Sequence, residues 1–270
     1  MLIKKESDAM KPIQAVFFDV DGTLYDNAVK QFPASLLPAL NKLRAKGIKI
    51  CINTGRLKST ANNIKLFEYY DWDGFIGGGG RYFYNQHGEL INTHTYTLKQ
   101  IEEILRLTEL YNLNVRFLSD EGDYILKEAD ENMLSAFAHF NVPVPKIIKP
   151  WDGKPVNAVV AYAPEGFNWH VFDSLPGIQC VSAFKTNADF LLADFNKATA
   201  SREMMAYWGL DGDYIAFGDS DNDIEMIQDA PIGVCMANGN EKTKEAADYV
   251  CPAVNEDGIA KALKHFGLID

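Results

Sequence analysis

Two short acidic clusters dominate the chemistry of this sequence: Asp19-Val20-Asp21-Gly22-Thr23 and Gly218-Asp219-Ser220-Asp221-Asn222-Asp223. Singly, an aspartate after a strand is a turn residue or a helix cap. Asp19 and Asp21, like Asp219 and Asp223, instead follow runs of apolar residues of the kind that forms a buried strand. If those strands share a sheet, four carboxylates meet at one edge. Each close pair then repels by roughly 4 kcal/mol at an effective dielectric near 20, a cost that is tolerable when a cation sits among them. Hard oxygen ligands with little room for a soft donor favour Mg²⁺, which takes a few carboxylates and keeps water and phosphate oxygens as its other ligands.

The elements that would position these acids follow from apolar spacing. Residues 15–18 form a continuous apolar run into Asp19, the pattern of a strand buried on both faces of a parallel sheet. Helical spacing over 33–46 places Leu36, Leu37, Leu40 and Leu43 on one face, with Gly47 as C-cap. Residues 48–52 are a second apolar strand that runs into Asn53-Thr54-Gly55-Arg56. This is a β-α-β unit with polar residues at the carboxyl ends of both strands, the edge at which open parallel sheets bind ligands. The pattern returns with a helix over 197–208, a strand at 214–217 ending in the second acidic cluster, a helix through Ile224, Met226 and Ile227, and a strand at 232–236.

The middle of the chain is different. A hairpin signal at 85–88 precedes an amphipathic helix through Ile101, Ile104, Leu105 and Leu107, and a second helix lies near 129–140. Strand-like segments fall at 115–118, 124–127, 156–162 and 190–192. The expected fold is α/β: a Rossmann-like parallel-sheet core of residues 1–85 and 193–270, interrupted by an inserted α+β cap domain at 86–192.

Bulk composition is consistent with two soluble domains: 270 residues, 47% hydrophobic and 23% charged. A net charge of −11 argues against nucleic acid and against an anionic membrane surface, since both call for a basic face. No apolar stretch approaches 18 residues, and the N-terminus lacks the apolar core of a secretory signal. Cys51, Cys180, Cys235 and Cys251 show no metal spacing. Cys51 and Cys235 sit in apolar runs as buried thiols, so a cytoplasmic location is expected. If the ligand at such a site were itself an anion, an acidic protein would also need a local positive charge.

Taken in order, Asp19-Val20-Asp21-Gly22-Thr23-Leu24, Thr54-Gly55-Arg56, Lys197 and Gly218-Asp219-Ser220-Asp221-Asn222-Asp223 resemble the four motifs of the haloacid dehalogenase superfamily. More narrowly, the chain resembles the Cof-type phosphatases, whose α+β cap of class IIB type is inserted between the second and third motifs. The resemblance implies that Asp19 is a nucleophile forming an aspartyl-phosphate. It makes Asp21 the acid that protonates the leaving alcohol and the base that activates water. Asp19, the main-chain carbonyl of Asp21, Asp219 and Asp223 are the implied Mg²⁺ site, with Asp223 acting through a bound water or by orienting its neighbours. Thr54 and the Gly55 N–H are implied to bind the phosphoryl oxygens, and Asn222 to orient Asp19, Lys197 or the substrate. Lys197 supplies the positive charge that neutralises the transferring group. Arg56 either touches substrate or neutralises a nearby acid.

Three positions depart from the family pattern. Ala198 follows the lysine where glycine is common, Asn53 precedes T-G-R where serine is common, and Gly77–Gly80 replaces a stretch that usually offers an asparagine and a glycine. The implied partner is a small phosphate ester, handled by a monomer or weak homo-oligomer. Two rivals share the motifs: a phosphosugar mutase and a non-catalytic phosphometabolite-binding protein. A pure binder has no use for both Asp19 and Asp21. A mutase needs a second phosphate site rich in arginine, whereas residues 86–192 hold only Arg106 and Arg116 and carry a net charge of −6.

Overall fold

The computed structural model describes residues 10–118, 122–140 and 143–270. The chain opens with β1 (Ile13–Phe18), α1 (Leu36–Ala45) and β2 (Lys49–Asn53), then two short helices, α2 (Lys58–Asn62) and α3 (Leu66–Tyr69). β3 (Gly74–Gly77), β4 (Tyr82–Asn85) and β5 (Leu90–Thr93) follow. The next stretch contains α4 (Leu98–Leu110), β6 (Asn114–Leu118), β7 (Tyr124–Ile125), α5 (Glu131–Phe140), β8 (Ile147–Ile148), β9 (Ala158–Tyr162), β10 (Ile178–Phe184) and β11 (Asn187–Leu192). The last third supplies α6 (Lys197–Tyr207), β12 (Asp213–Gly218), α7 (Ile224–Asp229), β13 (Ile232–Met236), α8 (Glu241–Ala246), β14 (Tyr249–Cys251) and α9 (Gly258–His265).

Contacts divide the chain into two compact units, one of residues up to Thr93 with Phe195–Asp270, the other His94–Asp194. The first contains an eight-stranded sheet in the order β14-β13-β12-β1-β2-β3-β4-β5. From β14 to β3 every pairing is parallel, as its near-continuous apolar strands require. Side chains of β1 alternate between two cores. Val16 and Phe18 pack with Leu36, Leu40 and Leu43 of α1 and Leu263 of α9. Ala15 and Phe17 pack with Met204 of α6 and Met226 of α7. Burying each such Phe or Leu contributes about 1.5–3 kcal/mol.

The second unit is a six-stranded sheet in the order β10-β11-β9-β6-β7-β8, antiparallel except for β7 with β8. Its helix α4 starts at a capping box formed by Thr97 and Gln100 and buries Ile101, Ile104 and Leu107. Met133, Ala136 and Phe137 of α5 pack on Ile125, Val160 and Tyr162.

The units meet in sequence at 93/94 and 194/195, against the expected 85/86 and 192/193. The hairpin signal at 85–88 forms a turn, with Gly88 N–H donating to Asn85 O at 2.9 Å. That turn joins β4 to β5 inside the first sheet, so the expected cap boundary falls within a hairpin. β10 and the first half of β11 pair with each other, and the spacing alone did not suggest either. Among the described residues no helix is long and apolar enough to cross a membrane.

Candidate active site

The order of the first sheet turns at β1: β2 and β3 are added on one side, β12, β13 and β14 on the other. The carboxyl ends of β1 and β12 are therefore neighbours, with Phe18 paired to Phe217. The Asp19 N–H continues this ladder by donating to Phe217 O at 2.9 Å, which sets Asp19 beside the segment that begins at Asp219. Such a switch point opens a crevice at the strand ends.

Gly22 closes the turn after Asp19. It has a φ of +77°, and a Cβ there would lie 2.2 Å from Asp219 Oδ2. No other residue satisfies both the left-handed backbone and the close approach. Asn238 Nδ2 donates to Gly22 O at 2.8 Å while its Oδ1 accepts from Val254 N at 2.9 Å, bracing the turn from β13's far end.

Lys197 is the first residue of α6. Asn196 caps the helix, its side chain accepting from Thr199 N while Thr199 Oγ1 accepts from Asn196 N. The lysine is 2% exposed, and its Nζ lies 2.6 Å from Asp19 Oδ1 and 2.6 Å from Asp223 Oδ1. The other oxygen of Asp223 accepts from Asp219 N at 3.0 Å, Ser220 N at 3.1 Å and Ser220 Oγ at 3.2 Å. Burial alone would lower the lysine's proton affinity, but Asp19 and Asp223 outweigh it and hold the ammonium above its ordinary range.

Asp19, Asp219 and Asp223 each bring a carboxylate oxygen within 4.8 Å of the others. Burial, reinforced by Asp223 and Asp219 and opposed by Lys197, pushes Asp19 up to about 7. Burial, then the charge of Asp223, pushes Asp219 up to about 7 as well. Asp219 Oδ1 is buried and has no hydrogen-bond partner among the described residues. With all three carboxylates ionised, the ammonium leaves two negative charges, so a small divalent cation fits this all-oxygen set in charge and in ligand type. It would also satisfy the orphaned oxygen.

The Asp21 carboxylate stands outside that triad. Arg56 grips it with both arms, Nε to Oδ2 at 2.7 Å and Nη2 to Oδ1 at 2.6 Å, a bidentate geometry that only a guanidinium supplies. Of the two expectations for Arg56, the structure places it on the acid. Thr54 is buried: its Oγ1 accepts from Arg56 N at 3.2 Å within its own loop, while its N–H donates to Ile76 O and its carbonyl accepts from Gly79 N, both at 2.9 Å, tying it to β3 and the turn that follows. Gly55 is exposed, and a Cβ on it would meet Asn222 Nδ2 at 3.6 Å. Asn222 Oδ1 accepts from Ser220 Oγ at 2.9 Å.

Residues outside the expected set complete the frame. Ser220 reaches Asp223, and the Ser-x-x-Asp spacing of a capping box was a usable signal for it. Gly80, at φ +103°, passes so close to α6 that a Cβ would lie 2.8 Å from Asn196 O. The glycine run thus lets the backbone after β3 lie against the turn that carries Lys197.

A sequence profile of the haloacid dehalogenase-like hydrolases matches residues 16–263. The chain belongs to that family, and its class is that of a phosphatase. A phosphatase of this superfamily from Bacteroides thetaiotaomicron is similar over 99% of this chain and 99% of its own, with 28% identity and a TM-score of 0.85. A sugar phosphatase of subclass IIB is similar over 95% of this chain and 100% of its own, with 29% identity and a TM-score of 0.75. The 5-amino-6-(5-phospho-D-ribitylamino)uracil phosphatase YitU of Bacillus subtilis is 26% identical over 271 residues, covering 93% of this chain and 96% of its own.

Proposed function

We propose that this chain is a Mg²⁺-dependent phosphatase of small phosphorylated metabolites, sugar phosphates or similar phosphomonoesters, working through an aspartyl-phosphate on Asp19. The observation that carries the reading is the buried Lys197 ammonium shared by Asp19 and Asp223, beside the unpartnered oxygen of Asp219. Asp19, Asp219, Asp223 and the main-chain carbonyl of Asp21 would hold the cation. When bound, it supplies positive charge that keeps Asp19 ionised and screens the phosphoryl oxygens.

An Asp19 carboxylate oxygen attacks phosphorus, and the bond from phosphorus to the ester oxygen breaks. Asp21, released from Arg56 and protonated when the ester is bound, gives its proton to that oxygen, so the alcohol leaves neutral. Asp21 then takes a proton from water, whose oxygen attacks phosphorus and expels the Asp19 carboxylate. Inorganic phosphate is released and both acids return to their starting state. Lys197 neutralises charge on the transferring group, while Thr54, the Gly55 N–H and Asn222 orient its oxygens. Residues 94–194 supply substrate selectivity, because the core motifs have little to hold beyond the phosphate.

The test is phosphate release from sugar phosphates, pyridoxal phosphate, flavin mononucleotide and an aryl phosphate, with Mg²⁺, with chelator and with Ca²⁺. Mg²⁺ should support turnover, chelator should abolish it, and Ca²⁺ should restore it poorly. Asp19→Asn should lose at least ~1000-fold while remaining folded. Full activity in chelator removes the cation from the reading. Activity retained by Asp19→Asn removes the covalent intermediate.

A further inference from the structure

Asn53 ends β2 immediately before Thr54, and its polar side chain is fully buried (0% exposed). Its Nδ2 donates to the main-chain carbonyl of Lys197 at 2.8 Å and to Ser201 Oγ at 3.1 Å. Ser201 Oγ in turn donates to the same carbonyl at 3.0 Å. The amide can stand only one way round, since the reverse would set Oδ1 against the Lys197 carbonyl, acceptor to acceptor. In this orientation Oδ1 is buried without a partner among the described residues. An orphaned buried acceptor costs about 1–3 kcal/mol, a cost that an apolar residue of similar size would avoid.

What that cost secures is a tie between residues 144 apart in sequence. Helix ends fray because their terminal groups lack intrahelical partners. At the start of α6 the Asn196 side chain takes one of the free N–H groups, that of Thr199, and Asn53 holds the first residue's carbonyl. Lys197 has a long, rotatable stem, yet its Nζ meets two separate carboxylates at 2.6 Å each. A small slide of the helix would break one of those contacts.

We infer that Asn53 is a positioning residue for Lys197: its buried amide pins the first turn of α6 to the strand end that carries Thr54, and so sets the ammonium at a fixed distance from the phosphoryl-binding loop. This rests on the proposed role of Lys197 in phosphoryl transfer. Because Lys197 would meet the phosphoryl group common to every ester, loosening it lowers kcat alike on all of them.

The experiment measures kcat per folded enzyme, with folding and Tm followed by circular dichroism, on acetyl phosphate and several sugar phosphates. Asn53→Ala should lose about 10- to 100-fold, by a similar factor on each substrate. Asn53→Ser should fall in the same direction, because its hydroxyl is one bond too short to span to the Lys197 carbonyl, and it carries the test if the alanine variant does not fold. Ser201→Ala, which spares the direct Asn53–Lys197 bond, should lose much less. Added to Lys197→Ala, the Asn53→Ala change should cause no further loss, since both act through one group. Wild-type kcat with only a lowered Tm, equal losses in Ser201→Ala and Asn53→Ala, or additive losses in the double variant would each overturn the inference. If Lys197→Ala itself kept wild-type turnover, the proposed function would fail at that residue and this inference with it. An inactive Lys197→Ala beside a fully active Asn53→Ala would sink this inference alone.

Discussion

The two sheets dispose of their charges in opposite ways. In the first unit the strands from β14 to β3 run parallel, so all their carboxyl ends lie on one edge, and Asp19, Thr54 and Asp219 follow strands that end there. In the second unit antiparallel pairing sends alternate ends to opposite edges. Its charged groups pair locally and largely in solvent, as in Lys185 with Glu165 at 2.8 Å and Lys149 with Asp152 at 3.2 Å. Residues 94–194 carry fourteen acidic side chains, yet among the described residues they form no cluster of three potential metal ligands. Strand direction, more than the number of acids, decides where charge can be concentrated.

The sharpest way to break that contrast is at Gly22. An added methyl would have to displace Asp219 Oδ2, 2.2 Å away, on a backbone at φ +77°. Gly22→Ala should therefore reduce phosphate release about 100-fold in a protein that still folds by circular dichroism. Near-normal activity would mean that Asp219 is not needed where it stands.

A smaller effect links the acids to pH. Asp19 and Asp219 are pushed from an ordinary 3.8 up to about 7, chiefly by burial. Without a cation, the folded chain holds these protons more tightly than the unfolded chain. Their stabilising contribution is complete below the ordinary value and is lost as pH rises through 7. Mg²⁺ competes with those protons, so the gain in Tm on adding it should be larger at pH 8 than at pH 5, by on the order of 5 °C. Equal gains at both pH values would uncouple the cation from the two carboxyls.

The smallest effect belongs to the second unit. Lys185→Ala removes an exposed pair and should change stability by less than ~1 kcal/mol, leaving hydrolysis of acetyl phosphate intact. A drop in Tm several times larger would show that charge is concentrated there after all.

How much of this was legible depended on range. β1 and β12 announced themselves as apolar runs cut off by acids, because a strand buried on both faces has no polar positions to hide among. The local helix starts were similarly open, as at Asn196 and Thr199. Arg56 had two readings because its partner Asp21 is 35 residues away, and no spacing rule joins a loop arginine to an acid on a neighbouring strand end. Asn53 stood out as a departure, but its partner Lys197 becomes visible only when β2 and α6 pack. The residues of β5 fall inside the expected insertion because a hairpin signal says that two strands pair, not which sheet receives them. β10 mixes Gln179 and Ser182 with apolar residues on an edge strand, where neither face imposes a clean alternation.

The pairing of β1 with β12, Ile13 opposite Asp213, also sets a timetable for synthesis. The ribosome delivers β1 first and its neighbour β12 some 200 residues later, whereas every strand of the second sheet emerges within His94–Asp194. Throughout that interval β1 has an open flank of backbone groups and apolar side chains, the kind of edge that recruits foreign strands. A message that stops before residue 213 would yield a product with a complete second sheet, a β1 open to aggregation, and only Asp19 of the acidic triad.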